Sequence, residues 1–210
     1  NSIFYESNGR EQNESGQYIP TTTLFDYSRD IYSAYATYGK KLEKWSYQVG
    51  LRAETVSVDS DAFRRDLAAN TELNIPFKND YFELYPSAFF TYTPSEKNSY
   101  QLSYSRRIDR PGIGQVNPLP QFNTALISQF GNQELLPQFT NSMEVNYTRQ
   151  LKKGSVTAGV FYRIIEDEIQ QAILIDRADT NRLILTNLNF DNTSSYGVEL
   201  SSNYRPTKWW

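Results

Sequence analysis

Acidic residues come closest to forming a chemical site in this sequence, and they are densest between residues 166 and 179. Glu166, Asp167 and Glu168 are consecutive, and Asp176 and Asp179 follow them. A Ca²⁺ ion needs about six to eight oxygen ligands, part of which such a cluster could supply. Its spacing does not match the calcium loop of an EF-hand. We therefore interpret it as a solvated acidic loop, and predict neither a metal site nor a cofactor.

Two residue types that carry much of enzyme chemistry are missing. The 210 residues include no Cys and no His, which excludes disulfides, thiolate ligands, a cysteine nucleophile and a Ser-His-Asp triad. No pair of carboxylates lies on a recognisable catalytic scaffold. Gly112, Gly114 and Gly131 lack the strand–loop–helix context of a nucleotide site and are typical of turns. We predict that the chain is not an enzyme.

The sharpest basic cluster is Arg106, Arg107 and Arg110. Arginine presents a bidentate fork to phosphate or carboxylate, so one interpretation is a contact with an anionic ligand or with lipopolysaccharide. The alternative, which we favour, is a set of ion pairs within the protein. The candidate partners are Glu54, Glu144 and Glu199. The net charge of −3 gives no basic face, so we expect no nucleic-acid partner.

Strands must position these residues, because apolar and polar side chains alternate along most of the sequence. In Trp45–Glu54 the odd-numbered residues are all apolar and point one way. The runs that alternate in the same way are Tyr100–Arg107, Met143–Leu151, Gly154–Tyr162 and Tyr196–Tyr204. Less regular runs at Ile3–Glu6, Ile31–Leu42 and Phe82–Thr93 bring the total to about eight strands, and Pro86 predicts a bulge or break in the last run.

Short and long connections alternate between these strands. The short ones are Gly39–Lys44, Pro94–Asn98, Lys152–Gly154 and Arg205–Lys208, and the long ones are Asn8–Thr23, Asp59–Asn79, Asp109–Gln138 and Glu166–Ser195. An up-and-down sheet then has every short turn at one end and every long loop at the other, as in transmembrane β-barrels. Ile169–Ile175 and Leu183–Phe190 have strand character, so we expect the last strands to extend beyond the membrane as a hairpin.

Alternation alone does not distinguish a membrane barrel from a soluble sheet that buries its apolar face. Aromatic residues near the strand ends favour the membrane barrel, because Tyr and Trp concentrate at membrane–water interfaces. They are Trp45, Tyr47, Tyr100, Tyr104, Tyr196 and Tyr204. The polar rows then face the lumen, which places Arg107 inside the barrel and Arg106 outside, near the lipid headgroups.

Several short motifs carry a family resemblance from about residue 30 to residue 205. They are YATY at 35–38, YQVGLRAE at 47–54, YPS at 85–87, YSRRIDRP at 104–111, NP at 117–118, GNQELLP at 131–137, YR at 162–163, DEI at 167–169 and YGVEL at 196–200. The chain resembles the β-barrel region of TonB-dependent receptors, in the outer-membrane branch common in Bacteroidetes-type bacteria. Gln133 and Gln138 depart from the family pattern, which has Pro and an acidic residue there.

This resemblance implies a barrel of about 22 strands closed around an N-terminal plug domain. The sequence has room for about eight strands, with no plug-like segment or TonB-contacting box before them, and Arg205–Trp210 is typical of a turn entering another strand. We therefore expect residues 1–210 to form a partial, all-β, antiparallel up-and-down transmembrane barrel domain in the bacterial outer membrane.

The resemblance also implies a function, namely active uptake of a scarce nutrient through the wall and extracellular loops of a TonB-dependent receptor. The expected partners are outer-membrane lipid and lipopolysaccharide, a small nutrient ligand, the TonB system acting through a plug, and a surface lipoprotein. The candidate lumen or loop contacts are Arg52, Arg107, Arg110, Asn117, Asn132 and Glu144.

Two other interpretations remain open. A self-contained barrel of about eight strands would act as an anchor or adhesin, with an interior filled by side chains. The lumen positions Gly50, Ser103, Ser105, Gly159, Gly197 and Ser201 are small for that purpose. A soluble β-sandwich binding module would stay in solution without detergent despite its outward apolar rows.

Overall fold

The computed structural model describes residues 2–12, 18–67, 69–124, 126–177 and 180–205. Within these ranges the chain is almost entirely β-structure with one short helix. The strands are β1 (Ser2–Gln12), β2 (Tyr18–Lys41), β3 (Trp45–Asp66), β4 (Thr71–Ser95), β5 (Asn98–Asp109), β6 (Phe122–Asn123), β7 (Ile127–Gln129), β8 (Gln138–Leu151), β9 (Gly154–Glu166), β10 (Glu168–Ile175), β11 (Leu183–Phe190) and β12 (Thr193–Tyr204), and the helix is α1 (Ile113–Val116). No helix in the described ranges is long and apolar enough to cross a membrane.

Eight strands form one antiparallel sheet in the order β1-β2-β3-β4-β5-β8-β9-β12. Each strand pairs with the next main-sheet strand along the chain, which confirms the predicted up-and-down architecture and strand number. Over their described residues β1 and β12 do not pair with each other. The sheet is therefore an open part of a barrel wall, not a closed barrel of eight strands.

Three successive rows of cross-strand partners make up the outward face. The row next to the short turns contains Trp45, Tyr92, Tyr100, Tyr147, Ala158 and Leu200, the middle row contains Tyr47, Phe90, Leu102, Val145, Val160 and Val198, and the third row contains Val49, Ala88, Tyr104, Met143, Tyr162 and Tyr196. In the first row the ring centroids of Trp45 and Tyr92 are 3.9 Å apart, and those of Tyr100 and Tyr147 are 4.8 Å apart. Aromatic residues are thus more frequent in the two flanking rows than in the middle one, as on a lipid-facing surface.

Beyond the third row, β2, β3 and β4 continue into water, and the alternation changes phase. These strands have 24, 22 and 25 residues, about twice the length that spans a membrane. In the first half of β3 the inward side chains include Gln48 and Arg52, but in the second half they include Val56, Val58 and Ala62, with the buried Ser60 between them. The opposite face of that half carries Ser57, Asp59 and Asp61. The apolar side turns inward because water, not lipid, covers the outer face there.

Two of the expected long loops are instead largely strand. Asp59–Asn79 was expected to be a long loop, but β3 and β4 pair without interruption up to Asp66 and Thr71. Asn8–Thr23 is likewise mostly strand, since β1 pairs with β2 up to Gln12 and Tyr18. Backbone pairing continues because both strands still have one apolar and one polar face.

Pro86 leaves the pairing of β3 with β4 intact, since it stands opposite Leu51 in an unbroken register. On its other side, however, the pairing of β4 with β5 ends at Ser87 and Ser105. Proline has no N–H to donate, so a ladder cannot continue through it on both sides. The predicted break is confirmed on the β5 side only.

The two remaining long connections fold into what we call the cap, residues 110–137 and 168–190, described except at 125 and 178–179. The cap contains α1 and a four-stranded sheet in the order β10-β11-β7-β6. β10 and β11 form the predicted hairpin, but Asp167 has a φ of 54° and the hairpin joins the cap sheet instead of prolonging β9 and β12. A core joins cap to wall, and its members are Phe25, Tyr27, Ala62, Val116, Leu119 and Leu135.

Candidate functional site

Glu54, a buried carboxylate on the inward face of the wall, contacts Arg110, the first residue of the cap. Glu54 lies on the inward face of β3 with its side chain 8% exposed, and the guanidinium of Arg110 donates to it. Arg52, two residues away on the same face, also contacts Glu54, with Nε to Oε1 at 3.2 Å. Arg110 Nε donates to the Tyr81 hydroxyl at 3.1 Å. The structure therefore brings Arg52 and Arg110 together on one acidic group.

The Arg110 guanidinium stays positively charged where it contacts Glu54 and Tyr81. Burial lowers the pKa of Arg110, but its hydrogen bonds with Tyr81 and Glu54 outweigh burial and raise the pKa overall. Burial also raises the pKa of the neighbouring Tyr27 above its ordinary value of 10.0, although Arg29 opposes this shift. Tyr27 is therefore neutral and Arg110 cationic at physiological pH. The ion pair with Glu54 confirms that Arg110 forms an ion pair within the protein, which was the interpretation favoured from the sequence.

An open groove of about 450 Å³ lies on the inward face below this junction. Tyr35, Arg52, Tyr85, Phe89 and Arg107 are among the residues that line it. Arg107 is exposed, and no ion pair of Arg107 with another described residue is present. Its fork is exposed at this groove, where it can meet an anion.

Glu144 stands apart from the arginines. It lies on the inward face of β8 opposite Ser103 and Phe161, and it forms no ion pair with the part of the chain that the structure describes. The structure does not bring it into the groove of Arg107.

Arg106 does not point freely toward lipid headgroups, as the sequence suggested. Its side chain is 27% exposed and reaches Glu83 and Glu166, with N–O distances of 3.6 and 3.8 Å. The guanidinium lies 4.6 Å from the centroid of the Phe139 ring. It can reach Glu83 on β4 because β4 and β5 are no longer paired beyond Ser105. Its partners are not the three glutamates predicted for the cluster.

Asn117 and Asn132 shape the cap instead of facing the groove. Asn117 Oδ1 accepts from Leu119 N at 3.0 Å, and Asn132 Nδ2 donates to Asn187 O at 3.3 Å. Between them, Gly131 N donates to Asn117 O at 2.7 Å. These bonds close the loop and tie it to β11.

Gln133 is a further anchor that the sequence did not reveal. Its Nε2 donates to Ser60 Oγ at 3.3 Å and to Ile75 O at 3.4 Å, across the lumen side of β3 and β4. The sequence hints at this anchor only in that Gln133 stands where the family that the chain resembles usually has Pro. Proline could not make either bond, because it has no side-chain donor.

The acidic cluster is dispersed in the structure. Glu166 contacts Arg106 and accepts from Asn141 Nδ2 at 3.2 Å, while Glu168 accepts from Thr193 Oγ1 at 2.6 Å. Asp179 lies outside the described residues. Among those described, no group of three or more acidic residues could hold a metal ion.

Solved structures share this fold. The haemophore receptor HasR of Serratia marcescens, solved with its haemophore and heme, has a TM-score of 0.69 at 13% identity, covering 97% of this chain and 39% of that one. The ferric yersiniabactin receptor FyuA of Yersinia pestis has a TM-score of 0.66 at 13% identity, covering 99% and 29%. The siderophore receptor PirA of Pseudomonas aeruginosa has a TM-score of 0.53 at 14% identity, covering 99% and 47%. The chain thus spans less than half of each of these structures.

Curated proteins gave no match to the sequence. The family comparison, by contrast, covers nearly the whole chain. Residues 3–210 match the outer membrane protein beta-barrel family, in agreement with the lipid-facing rows and the up-and-down sheet. The chain therefore belongs to the outer membrane protein beta-barrel family and lies in the bacterial outer membrane.

Proposed function

We propose that this chain is the wall and extracellular-loop portion of a TonB-dependent receptor for active nutrient uptake. One observation carries the proposal. A structured cap is anchored on the inward face of a lipid-facing sheet, above a groove lined by Arg107, which has no ion-pair partner among the described residues. A passive anchor needs no such arrangement, whereas selective binding before passage does.

The roles of the residues follow from their contacts. Arg110, Glu54 and Gln133 hold the cap in place, and Arg107 and Tyr85 face the groove beneath it. A ligand with an anionic group would pair with Arg107, while Arg52 stays engaged with Glu54. The chain binds and positions; it catalyses no reaction in this proposal.

The remaining partners belong to the longer receptor. Residues 1–210 are one partial barrel domain, which further strands complete to about 22 around a plug. The plug couples the barrel to the TonB system, and the outward rows contact outer-membrane lipid and lipopolysaccharide. A surface lipoprotein is a further candidate at the exposed cap.

The first test is the mass of the native protein that carries this sequence, extracted from outer membranes in detergent. We expect a species several times heavier than 24.3 kDa, whose loss from the bacterium abolishes uptake of at least one nutrient. A protonophore should abolish the same uptake. A stable barrel of about 24 kDa that folds alone would refute the receptor and leave the anchor or adhesin.

A further inference from the structure

The hydrogen-bonded ladder between β4 and β5 stops well before either strand does. Its last pair is Ser87 with Ser105, whereas β4 extends on to Thr71 and β5 to Asp109. Beyond that pair, β4 stays bonded to β3 and β5 to β8. Among the described residues, no strand pairs with the β5-facing edge of residues 71–86. We call this gap the seam; it separates the N-terminal half of the wall, β1–β4, from the C-terminal half, β5, β8, β9 and β12.

Backbone geometry places the start of the seam at Pro86. In an antiparallel ladder the N–H and C=O of one residue point to the same neighbouring strand, and this direction alternates from residue to residue. Thr93 N donates to Lys44 O on the β3 side, so the even-numbered residues of β4 face β5. The next hydrogen-bonded pair of the β4–β5 ladder would be Pro86 with Arg106, but proline has no N–H to donate. Pro76, also even-numbered, leaves a second missing donor on the same edge.

Side chains close the seam where the backbone does not. Arg106 Nη2 lies 3.6 Å from Glu83 Oε2 across the seam, and its guanidinium lies 4.6 Å from the centroid of the Phe139 ring. The ring centroids of Phe139 and Tyr85 are 6.5 Å apart, and the Arg52 guanidinium lies 4.6 Å from that of Tyr85. We call this stack of Arg52, Tyr85, Phe139 and Arg106 the clasp, and it joins β3 and β4 to β5 and β8. Both aromatic residues are buried, where a cation–aromatic contact is strongest.

The cap bridges the same seam. Its segments leave and rejoin the wall on the C-terminal half, through β5, β8, β9 and β12. Its core, by contrast, includes Phe25 and Ala62 of the N-terminal half, and its first residue, Arg110, contacts Glu54 of β3. Glu54 also holds Arg52 of the clasp, with Nε to Oε1 at 3.2 Å. The cap and the clasp therefore share one carboxylate.

We propose that the seam is a lateral hinge in the extracellular part of the wall, held shut by the clasp and the cap. When Arg110 leaves Glu54, the carboxylate draws Arg52 away from the Tyr85 ring, and the two halves of the wall separate beyond Ser87. The ladder on the membrane side of Ser87 stays paired. The movement breaks side-chain contacts only, because no backbone pair among the described residues spans the seam. It controls access to the lumen groove, so the inference concerns the regulation of that site and rests on the proposed function.

Distances between spin labels on the two halves of the wall, measured by double electron–electron resonance on the full-length receptor in detergent, test the hinge. The labels go on Lys78→Cys of β4 and Asn192→Cys beside β12, both exposed positions, in a receptor with no other cysteine. Arg106→Met removes one end of the clasp and should raise the population at the longer distance about tenfold. The matched control is Arg163→Met. The Arg163 guanidinium also lies near an aromatic ring, 5.9 Å from the centroid of Phe161, but both residues are on β9 and the contact does not cross the seam.

A second substitution acts in the opposite direction. Pro86→Ala supplies the missing N–H, so the ladder can extend to residue 106. Added to Arg106→Met, it should return the population at the longer distance to the level of the unsubstituted receptor, which a merely destabilised protein would not do. Arg110→Met, which frees Glu54 from the cap, should raise that population with the clasp residues unchanged.

Three results would overturn the hinge: Arg106→Met and Arg163→Met give the same distances, Pro86→Ala has no effect on Arg106→Met, or Arg110→Met leaves the distances unchanged. Protonophore-sensitive uptake by the native bacterium reports separately on the proposed function. If uptake needs the receptor but the distances do not respond to the clasp, the hinge fails and the receptor stands. If the distances respond as expected but the native protein folds alone at about 24 kDa, the hinge stands and the receptor fails.

Discussion

Arg110→Met should release the cap from the wall. The substitution keeps much of the side-chain length but removes the guanidinium that contacts Glu54 and donates to Tyr81. Glu54 would then be a buried carboxylate with Arg52 as its remaining partner. The cap should still fold, because its apolar core with Phe25 and Tyr27 is untouched.

The magnitude follows from burial. Removing one partner of a buried ion pair costs about 3–5 kcal/mol, because the other charge stays desolvated. Arg52 remains 3.2 Å from Glu54 and is 45% exposed, so it compensates in part. We expect a loss of about 2–3 kcal/mol in the free energy of cap opening, or a rise of roughly 30- to 150-fold in the opened population.

Hydrogen–deuterium exchange of residues 111–137, read by mass spectrometry on the full-length protein in detergent, measures this opening. The control is Arg65→Met, which removes an ion pair with Glu72 at the tip of the β3–β4 hairpin. Both side chains of that pair are about half exposed, at 46% and 48%, so its loss should cost less than about 1 kcal/mol.

A double variant tests whether the buried charge of Glu54 causes the opening. Glu54→Gln combined with Arg110→Met removes the stranded charge and should recover part of the protection. Equal exchange in Arg110→Met and Arg65→Met would show that the cap is held by its apolar core alone. No recovery in the double variant would show that the buried charge is not the cause.

Three further predictions concern the cap and the wall. In Gly131→Ala the new Cβ would lie 2.5 Å from the backbone oxygen of Gln115, so the cap must shift; we expect faster exchange of residues 111–137, and unchanged exchange would contradict the close approach. Burial raises the pKa of Tyr27, so the neutral Tyr27 side chain contributes fully to stability below a pH of about 10, and this contribution is lost as the pH rises through the pKa in the folded protein. Hydrogen–deuterium exchange of the cap at pH 10–11 should therefore rise, and it should rise less in Tyr27→Phe. Val160→Arg on the lipid face should lower the free energy of folding into bilayers by about 2–4 kcal/mol. Ser103→Arg on the lumen face should cost less than about 1 kcal/mol. Equal losses of stability in urea titrations of the two variants would mean that the two faces are misassigned.

The membrane-spanning half of the wall could be predicted from the sequence because lipid imposes one rule on every strand. Alternation from Trp45 to Glu54 has the phase of the lipid-facing rows, and this phase continues to β12 apart from inward aromatic residues such as Phe89 and Phe161. The upper half was missed because the phase reverses near Thr55. A pattern search that expects one constant phase interprets a reversal as the end of the strand, although the hydrogen-bonded ladder continues.

The site was predictable only where strand geometry decided it. Alternation within β5 predicts an inward position for Arg107, and Arg107 does line the lumen groove. The outcome for Arg106 depends on where β4 and β5 separate, and Gln133 meets Ser60 and Ile75 only because the cap folds back on the wall. Contacts between segments more than fifty residues apart leave no trace in local spacing.

The phase reversal in β2, β3 and β4 also fixes the depth at which these strands lie in the membrane. A strand of constant alternation could slide by two residues along its neighbours and still present the same faces to lipid and lumen. In β3, such a slide toward the periplasm would put the polar Thr55 in the place of Ala53 and bring Ser57 closer to the hydrocarbon layer. A slide the other way would carry apolar side chains of the Trp45 row out of it. Vertical placement of the wall is thus encoded within single strands and does not depend on the turns at either end.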